Sequence, residues 1–317
     1  MQGWRKNNED GHVTAVDFEP GHSLFAVFDG HGGVEVAKFC EAHILDELRG
    51  SEEFKNRNYE KALVDTFLKM DTMLLAPAGK KELDKIGKKY NMGPGAVESA
   101  DYAFQAGCTA NVLLITPNAI YCANAGDSRS VLCKKGIASE LSEDHKPDLP
   151  TERARILASG HSVDDGRVDG IIAISRAIGD WEYKNPKLSP EKMAVSAYPE
   201  VQKVELTADL DFVICACDGI WDCMTSQEAC EFVKSGKKLL ASYKPSPSTT
   251  KGKPGLKEKD TKKKSERKME ETITKSVFKG LATIVEMMME QNCPKDLAKS
   301  EGLGCDNMTA IIIEFKK

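Results

Sequence analysis

The amino-acid sequence predicts an α+β fold. Three observations carry that reading: strand-like apolar runs recur along the chain, short turns join many of them, and helical patterns fall between groups of strands without regular alternation. "HVTAVDF" (12–18) and "SLFAVFD" (23–29) are the first strands. "VEVAKFCEAHILDELRG" (34–50) spaces its apolar residues as a helix does and stops at Gly50, and "YEKALVDTFLKMDTMLL" (59–75) repeats the pattern. Residues 77–106, with Pro77, Gly79, Gly87, Gly93, Pro94, Gly95 and several lysines, read as a polar insertion. Residues 112–141 read as a meander turned at Pro117-Asn118, Gly126-Asp127-Ser128 and Lys135-Gly136. "LPTERARILASG" (149–160) is a helix, "IIAIS" (171–175) and "DFVICACD" (211–218) are strands. "TSQEACEFVKSG" (225–236) is a helix with Thr225 and Ser226 as cap residues. A long amphipathic helix over 271–293, with Met287 to Met289 as core filler, precedes a last strand, "MTAIIIEF" (308–315).

The net charge of −5 conceals an asymmetry. Residues 237–268 carry twelve Lys and Arg against three carboxylates, which leaves −14 on the remainder. An acidic body argues against nucleic-acid binding and against a metal-dependent nuclease. The low-complexity segment 237–269 is too polar to order itself and reads as disordered; its functional readings are a nuclear localisation patch at "KKKSERK" or a docking arm for acidic partners. No apolar run approaches the roughly 20 residues of a membrane helix, and the opening residues have no secretory signal pattern. A cytoplasmic or nuclear location with reduced cysteines is therefore expected. Several of the ten cysteines, among them Cys122, Cys215 and Cys217, lie in apolar strands as small core residues. The chain has no Cys-x-x-Cys pair, and no cysteine is followed six residues on by an arginine, so the phosphate loop of thiol phosphatases is missing.

Carboxylates gather at strand ends. Asp29 ends one apolar run, Asp218 ends another, Asp127 follows a third at a turn, Asp306 opens the last strand, and Glu9-Asp10 precede the first. A single Asp-Gly after a strand is a turn. Five such sites, if they converge, repel one another unless a divalent cation sits among them, and all-oxygen ligands select a hard ion such as Mg²⁺ or Mn²⁺.

The motifs "GWRKNNED", "VFDGHGG", "GCTANVLLI", "ANAGDSR", "DHKPD", "GRVDGIIAISRAIGD", "CDGIWD" and "GCDNMT" follow the order and spacing of the metal-dependent protein Ser/Thr phosphatase family (type 2C, PPM). The resemblance covers nearly the whole chain. "MQGWR" and "GCDNMT" look most like the gamma-type branch, whose long acidic insertion, near residues 77–106, is missing here. The resemblance implies an α-β-β-α sandwich of two antiparallel sheets flanked by helices, with the metal site at one end. It implies two Mg²⁺ or Mn²⁺ ions bridged by Asp29, with the Gly30 carbonyl and Glu9 on one and Asp218 and Asp306 on the other. Asp10 would act through water, and Asp127 would join Asp218 at a weaker third position. A hydroxide bridging the ions would attack phosphorus in line in phosphoserine or phosphothreonine of protein substrates, with no phosphoenzyme.

The resemblance also implies that Arg5 grips the phosphoryl oxygens, the alternative being an ion pair with Glu9 or Asp10. His31 would protonate the leaving alkoxide, the alternative being that it orients a carboxylate or a metal water. Residues 164–200 correspond to the family's flap, a variable lobe beside the cleft. Arg176, Gly179 and Asp180 would support it, and Trp181 and Tyr183 would contact a peptide or be buried. His145 is expected to be structural, and His12, His22, His43 and His161 solvent-facing. Two departures stand out: the sequence starts two residues ahead of Gly3, so the strand usual in the family before "GWR" is either trimmed or outside this sequence, which bears on how Arg5 is anchored, and Asn8 replaces a common methionine. The expectation is a monomeric enzyme. Its rival, a catalytically dead scaffold, would have lost metal ligands, and Glu9, Asp29, Asp218 and Asp306 are all present.

Overall fold

The computed structural model describes residues 1–90, 102–242 and 280–315. In chain order the strands are β1 (Gly11–Glu19), β2 (His22–Phe28), β3 (Gly30–His31), β4 (Gly107–Cys108), β5 (Ala110–Ile115), β6 (Ala119–Ala125), β7 (Arg129–Lys134), β8 (Ile137–Glu140), β9 (Val163–Asp164), β10 (Arg167–Val168), β11 (Ile178–Gly179), β12 (Glu200–Glu205), β13 (Leu210–Ala216) and β14 (Ala310–Glu314). The helices are α1 (Glu35–Gly50), α2 (Glu52–Lys55), α3 (Tyr59–Met73), α4 (Pro77–Tyr90), α5 (Tyr102–Gln105), α6 (Pro150–Ala158), α7 (Asp218–Trp221), α8 (Ser226–Ser242) and α9 (Leu281–Asn292).

Period-two alternation builds the layers. On β2, Leu24, Ala26 and Phe28 pack on α1 and α3, while Phe25 and Val27 face the other way. On β13, Phe212, Ile214 and Ala216 pack on α8 and α9, while Val213 and Cys215 meet the β2 residues between the sheets. Two sheets whose central strands are buried on both faces, covered outside by helices, make an α-β-β-α sandwich, as the resemblance implies. Each fully buried Leu or Phe contributes about 1.5–3 kcal/mol. One sheet runs β1-β2-β5-β6-β12, the other β14-β13-β7-β8, and every ladder in both is antiparallel. All ten cysteines are free and seven are buried. Met287 and Met288 are core residues beneath α8. Among the described residues no helix is long and apolar enough to cross a membrane.

Four of the segments read from the sequence differ in the structure. The meander is split: β5 and β6 belong to one sheet and β7 and β8 to the other. The chain crosses at Gly126-Asp127-Ser128, because β6 is buried along its whole length and β7 pairs with β13 instead. Residues 77–90 of the expected polar insertion form α4, whose Leu83 is buried in the core with α1. "IIAIS" forms no strand; Ile172 only bridges Val168. Helix α8 runs on to Ser242, six residues into the basic segment, and residues 243–269 lie outside the described residues.

The flap region has a small core of its own, with Val163, Val168, Ile174, Tyr183 and Val195 around Ile156 of α6. Arg176 forks onto Glu152 at 2.7 and 3.0 Å. That carboxyl is held at about 2, since Arg176 and Arg155 outweigh the upward push of its burial. A second buried pair ties the flap to α3: Lys184 Nζ lies 2.6 Å from Asp71 Oδ1. Asp71 also accepts the Gly179 amide at 2.8 Å. Lys184→Met is expected to cost about 3–5 kcal/mol, because it leaves the Asp71 carboxylate buried without its cation. Chemical denaturation checks this; a loss below 1 kcal/mol would show that the pair is dispensable.

Candidate metal centre

Strand and helix ends from five parts of the chain meet in one cleft of about 890 Å³ at an end of the sandwich. Its walls include Arg5, Glu9, Asp29, His31, Asp127, Lys146, Asp180, Asp218 and Asp306. Asp29 follows β2, and its backbone is locked in both directions: its amide donates to Thr109 Oγ1 at 3.1 Å, and its carbonyl accepts the Thr109 amide at 2.9 Å. Gly30 and His31 then pair with β4 as a two-residue strand. A Cβ on Gly30 would come within 2.3 Å of the Glu9 carbonyl oxygen, so glycine is needed for the close approach of the Glu9 segment. Gly32 has φ +68°, which turns the chain into α1.

The two chain ends meet here. The Glu9 amide donates to Asn307 Oδ1 at 2.9 Å, and Asn307 Nδ2 donates to the carbonyls of Gln2 and Asn7. Trp4 donates its amide to the Cys305 carbonyl, which anchors the segment that carries Arg5. Arg5 Nη2 lies 2.6 Å from Asp306 Oδ2, so its ion pair is with Asp306 rather than Glu9 or Asp10. Asp10 Oδ2 accepts from the Thr309 hydroxyl at 2.6 Å. Asp218 opens α7, directly after β13. Asp127 sits at the crossing between the sheets, ion-paired with Lys146.

Two oxygens in this cluster are orphaned: Asp10 Oδ1 and Asp218 Oδ1 are buried with no hydrogen-bond partner. Such groups are costly to leave unmet. Ligand atoms of Asp10, Asp29 and Cys217 also lie within 4.8 Å of one another. The acidic cluster is therefore compatible with a bound metal ion.

The electrostatics agree. Burial, then the charges of Asp218, Asp10 and Asp127, push the Asp29 carboxyl well above the usual range. Burial, then Asp127 and Asp222, push Asp218 up to about 7. Burial raises Asp10 and Glu9 as well. A carboxyl raised in the folded state holds its proton more tightly there than in the unfolded chain. The stability it lends is therefore full below about pH 4 and is lost as pH rises through its folded value. For Asp218 the window is about pH 4 to 7. The melting temperature in chelator is expected to fall between about pH 4 and 7, with less fall in Asp218→Asn. Excess Mg²⁺ or Mn²⁺ should reverse it, since 100-fold saturation adds about 2.7 kcal/mol. A flat or rising profile in chelator would contradict the cluster's electrostatics.

His31 Nε2 lies 2.9 and 2.7 Å from the two carboxylate oxygens of Asp180. Burial acts to lower the imidazole, but Asp180 outweighs it and the net shift is upward. Asp180 is itself buried, in the left-handed region at φ 52°. A Cβ on Gly107 would come within 2.1 Å of its Oδ2.

All the predicted site residues, Arg5, Glu9, Asp10, Asp29, Gly30, His31, Asp127, Asp218 and Asp306, come together in or beside the cleft. Lys146 and Asp222 also line it and carried no role in the sequence reading. Lys146 lies inside "DHKPD", so the motif was the available signal. Trp181 and Tyr183 are buried, and Trp181 Nε1 donates to the Asp71 carbonyl at 3.2 Å. His145 is buried and its Nδ1 accepts the Gly126 amide at 3.2 Å. His12 is exposed as expected. His22, His43 and His161 are not simply solvent-facing: each is half-buried and bonded, to Tyr59, Glu82 and Asp169 respectively.

The fold is similar to that of the serine-threonine phosphatase 2C of Toxoplasma gondii, whose crystal structure aligns with a TM-score of 0.66 at 19% identity over 99% of this chain and 92% of that one. The family model described as Protein phosphatase 2C matches residues 1–244, and the chain belongs to that family of metal-dependent protein phosphatases. It is 40% identical over 318 residues to Probable protein phosphatase 2C 3 of Paramecium tetraurelia, covering 100% of this chain and 91% of that protein. It is 36% identical to Probable protein phosphatase 2C 21 of Arabidopsis thaliana, covering 100% and 85%.

Proposed function

We propose that this phosphatase hydrolyses phosphoserine and phosphothreonine in proteins with Mg²⁺ or Mn²⁺ held by Glu9, Asp29, the Gly30 carbonyl, Asp218 and Asp306. Asp10 supports the set, and Asp127 adds a weaker third position. The supporting observation is the convergence of these carboxylates, with two orphaned oxygens, beside His31 and Arg5 in one cleft. When bound, the ions supply charge neutralisation at the phosphoryl group and a nucleophilic water at neutral pH.

The chain's own residues do the rest. Arg5, on the rim, offers its guanidinium fork to two phosphoryl oxygens, exchanging part of its ion pair with Asp306 for the substrate. Asp180 accepts a hydrogen bond from the Nε2–H of His31 and favours the imidazolium, whose Nδ1 proton passes to the departing Ser or Thr oxygen and leaves the ring neutral. Lys146 neutralises Asp127 and limits the repulsion within the carboxylate cluster. No cysteine is placed for a phosphoenzyme: Cys217, beside the cluster, is buried and its thiol is pushed far up by burial and the neighbouring aspartates. A scaffold without activity is disfavoured, because every proposed ligand is retained.

The test is hydrolysis of a phosphothreonine peptide with Mn²⁺ or Mg²⁺, then with excess chelator. Activity is expected only with the ion. A rate that chelator leaves unchanged would overturn the proposal.

A further inference from the structure

Helix α4 lies outside the catalytic cleft and carries a charge pattern the reaction does not use. Lys80, Lys81, Lys85, Lys88 and Lys89 are all exposed, on a helix oriented by the burial of Gly79, Leu83 and Gly87. Lys81, Lys85 and Lys89 recur every four residues and so share one face. Beside them runs a second row, Ala78, Glu82 and Ile86, and the two rows line a shallow groove of about 480 Å³. Glu82 does not neutralise the lysines, since it is bonded to His43 at 2.8 Å. Among the described residues Lys81, Lys85, Lys88 and Lys89 make no ion pair. Lys38, Lys55, Lys61 and Lys69, on the neighbouring helices, each hold a carboxylate.

We infer that α4 is a docking surface for an acidic segment of a partner protein. The charge balance selects that class. Helix α4 has five lysines against Glu82 and Asp84, so the chain outside it and outside 237–268 carries −17. The lysine row spans about 12 Å, eight residues at 1.5 Å each. A duplex or an anionic membrane extends far beyond that length and would bring its charge against the acidic remainder. A short peptide with carboxylates at helical spacing touches the row alone. The groove's apolar members are Ala78 and the half-buried Ile86, too little surface to enter a bilayer.

The experiment is fluorescence anisotropy of a labelled (Glu-Glu-Ala-Ala)4 peptide titrated with the full chain at two salt concentrations. Turnover of p-nitrophenyl phosphate serves as the check on folding. The wild type is expected to bind, more weakly at higher salt. The triple variant Lys81→Glu, Lys85→Glu, Lys89→Glu should weaken binding at least about tenfold with turnover kept. The triple variant Lys262→Ala, Lys263→Ala, Lys264→Ala, in the other basic segment, should bind as the wild type does. The inference is overturned by absence of binding, or by binding that the α4 reversal leaves intact. Tighter binding of duplex DNA or phosphatidylserine vesicles through the same three lysines would overturn it too.

Discussion

Asp29→Asn is expected to lower the divalent-dependent hydrolysis of a phosphothreonine peptide by at least about 100-fold. Loss of groups that merely orient metal ligands costs 10–100-fold, and Asp29 is placed among the ligands themselves. The same substitution should raise stability in chelator. Asp29 is crowded by Asp218, Asp10 and Asp127, and the amide removes one charge from that crowd while keeping the shape of the side chain. Activity and metal-free stability should therefore move in opposite directions. The rise in melting temperature on adding Mg²⁺ or Mn²⁺ should shrink as well. A general folding defect would lower both, so kcat/KM and melting curves with and without the ion separate the two. Wild-type rates in this variant would remove Asp29 from the centre of the mechanism.

His31→Gln is expected to discriminate between leaving groups. A serine or threonine alkoxide departs poorly without a proton, whereas p-nitrophenolate needs none. General acid catalysis is worth about 10²–10⁴-fold. Turnover of the phosphothreonine peptide should fall within that range while turnover of p-nitrophenyl phosphate changes little. The pH profile gives a second readout. Burial tends to lower the imidazole, but Asp180 holds it above its ordinary value, so its proton persists toward neutral pH. Peptide turnover should decline as pH rises through that value, and the decline should be missing in His31→Gln. Asp180→Asn should reproduce part of both effects. Equal losses on the two substrates would assign His31 to structure alone.

What was legible in the sequence follows from period and punctuation. Strands β2 and β13 were plain because both faces are buried and glycine or aspartate stops them. Strand β12 was missed because "EVQKVE" is an exposed, charged edge whose pairing with β6 leaves no apolar signature. Helix α4 was read as an insertion because its lysines and two glycines outweigh Leu83 in any composition count, although those glycines are where it packs closest. The carboxylates were legible as strand-end oddities, and the family motifs supplied their grouping. Local pattern could not show that Asp180 bonds His31 from 149 positions away. Nor could it show that the chain changes sheets at Asp127, which depends on β13 claiming β7.

The Asn307 amide, bonded to Gln2, Asn7 and Glu9, has a kinetic meaning. It closes a loop of some 300 residues, a closure that costs about 5 kcal/mol of chain entropy if nothing else has formed. The sandwich must bring the two ends together first, so this clasp belongs to the last stage of folding. During synthesis residues 1–10 wait for residues 305–309 to leave the ribosome. A nascent chain can hold most of its core and still lack the Asp306 side of the cleft until residues 305–309 have emerged and docked.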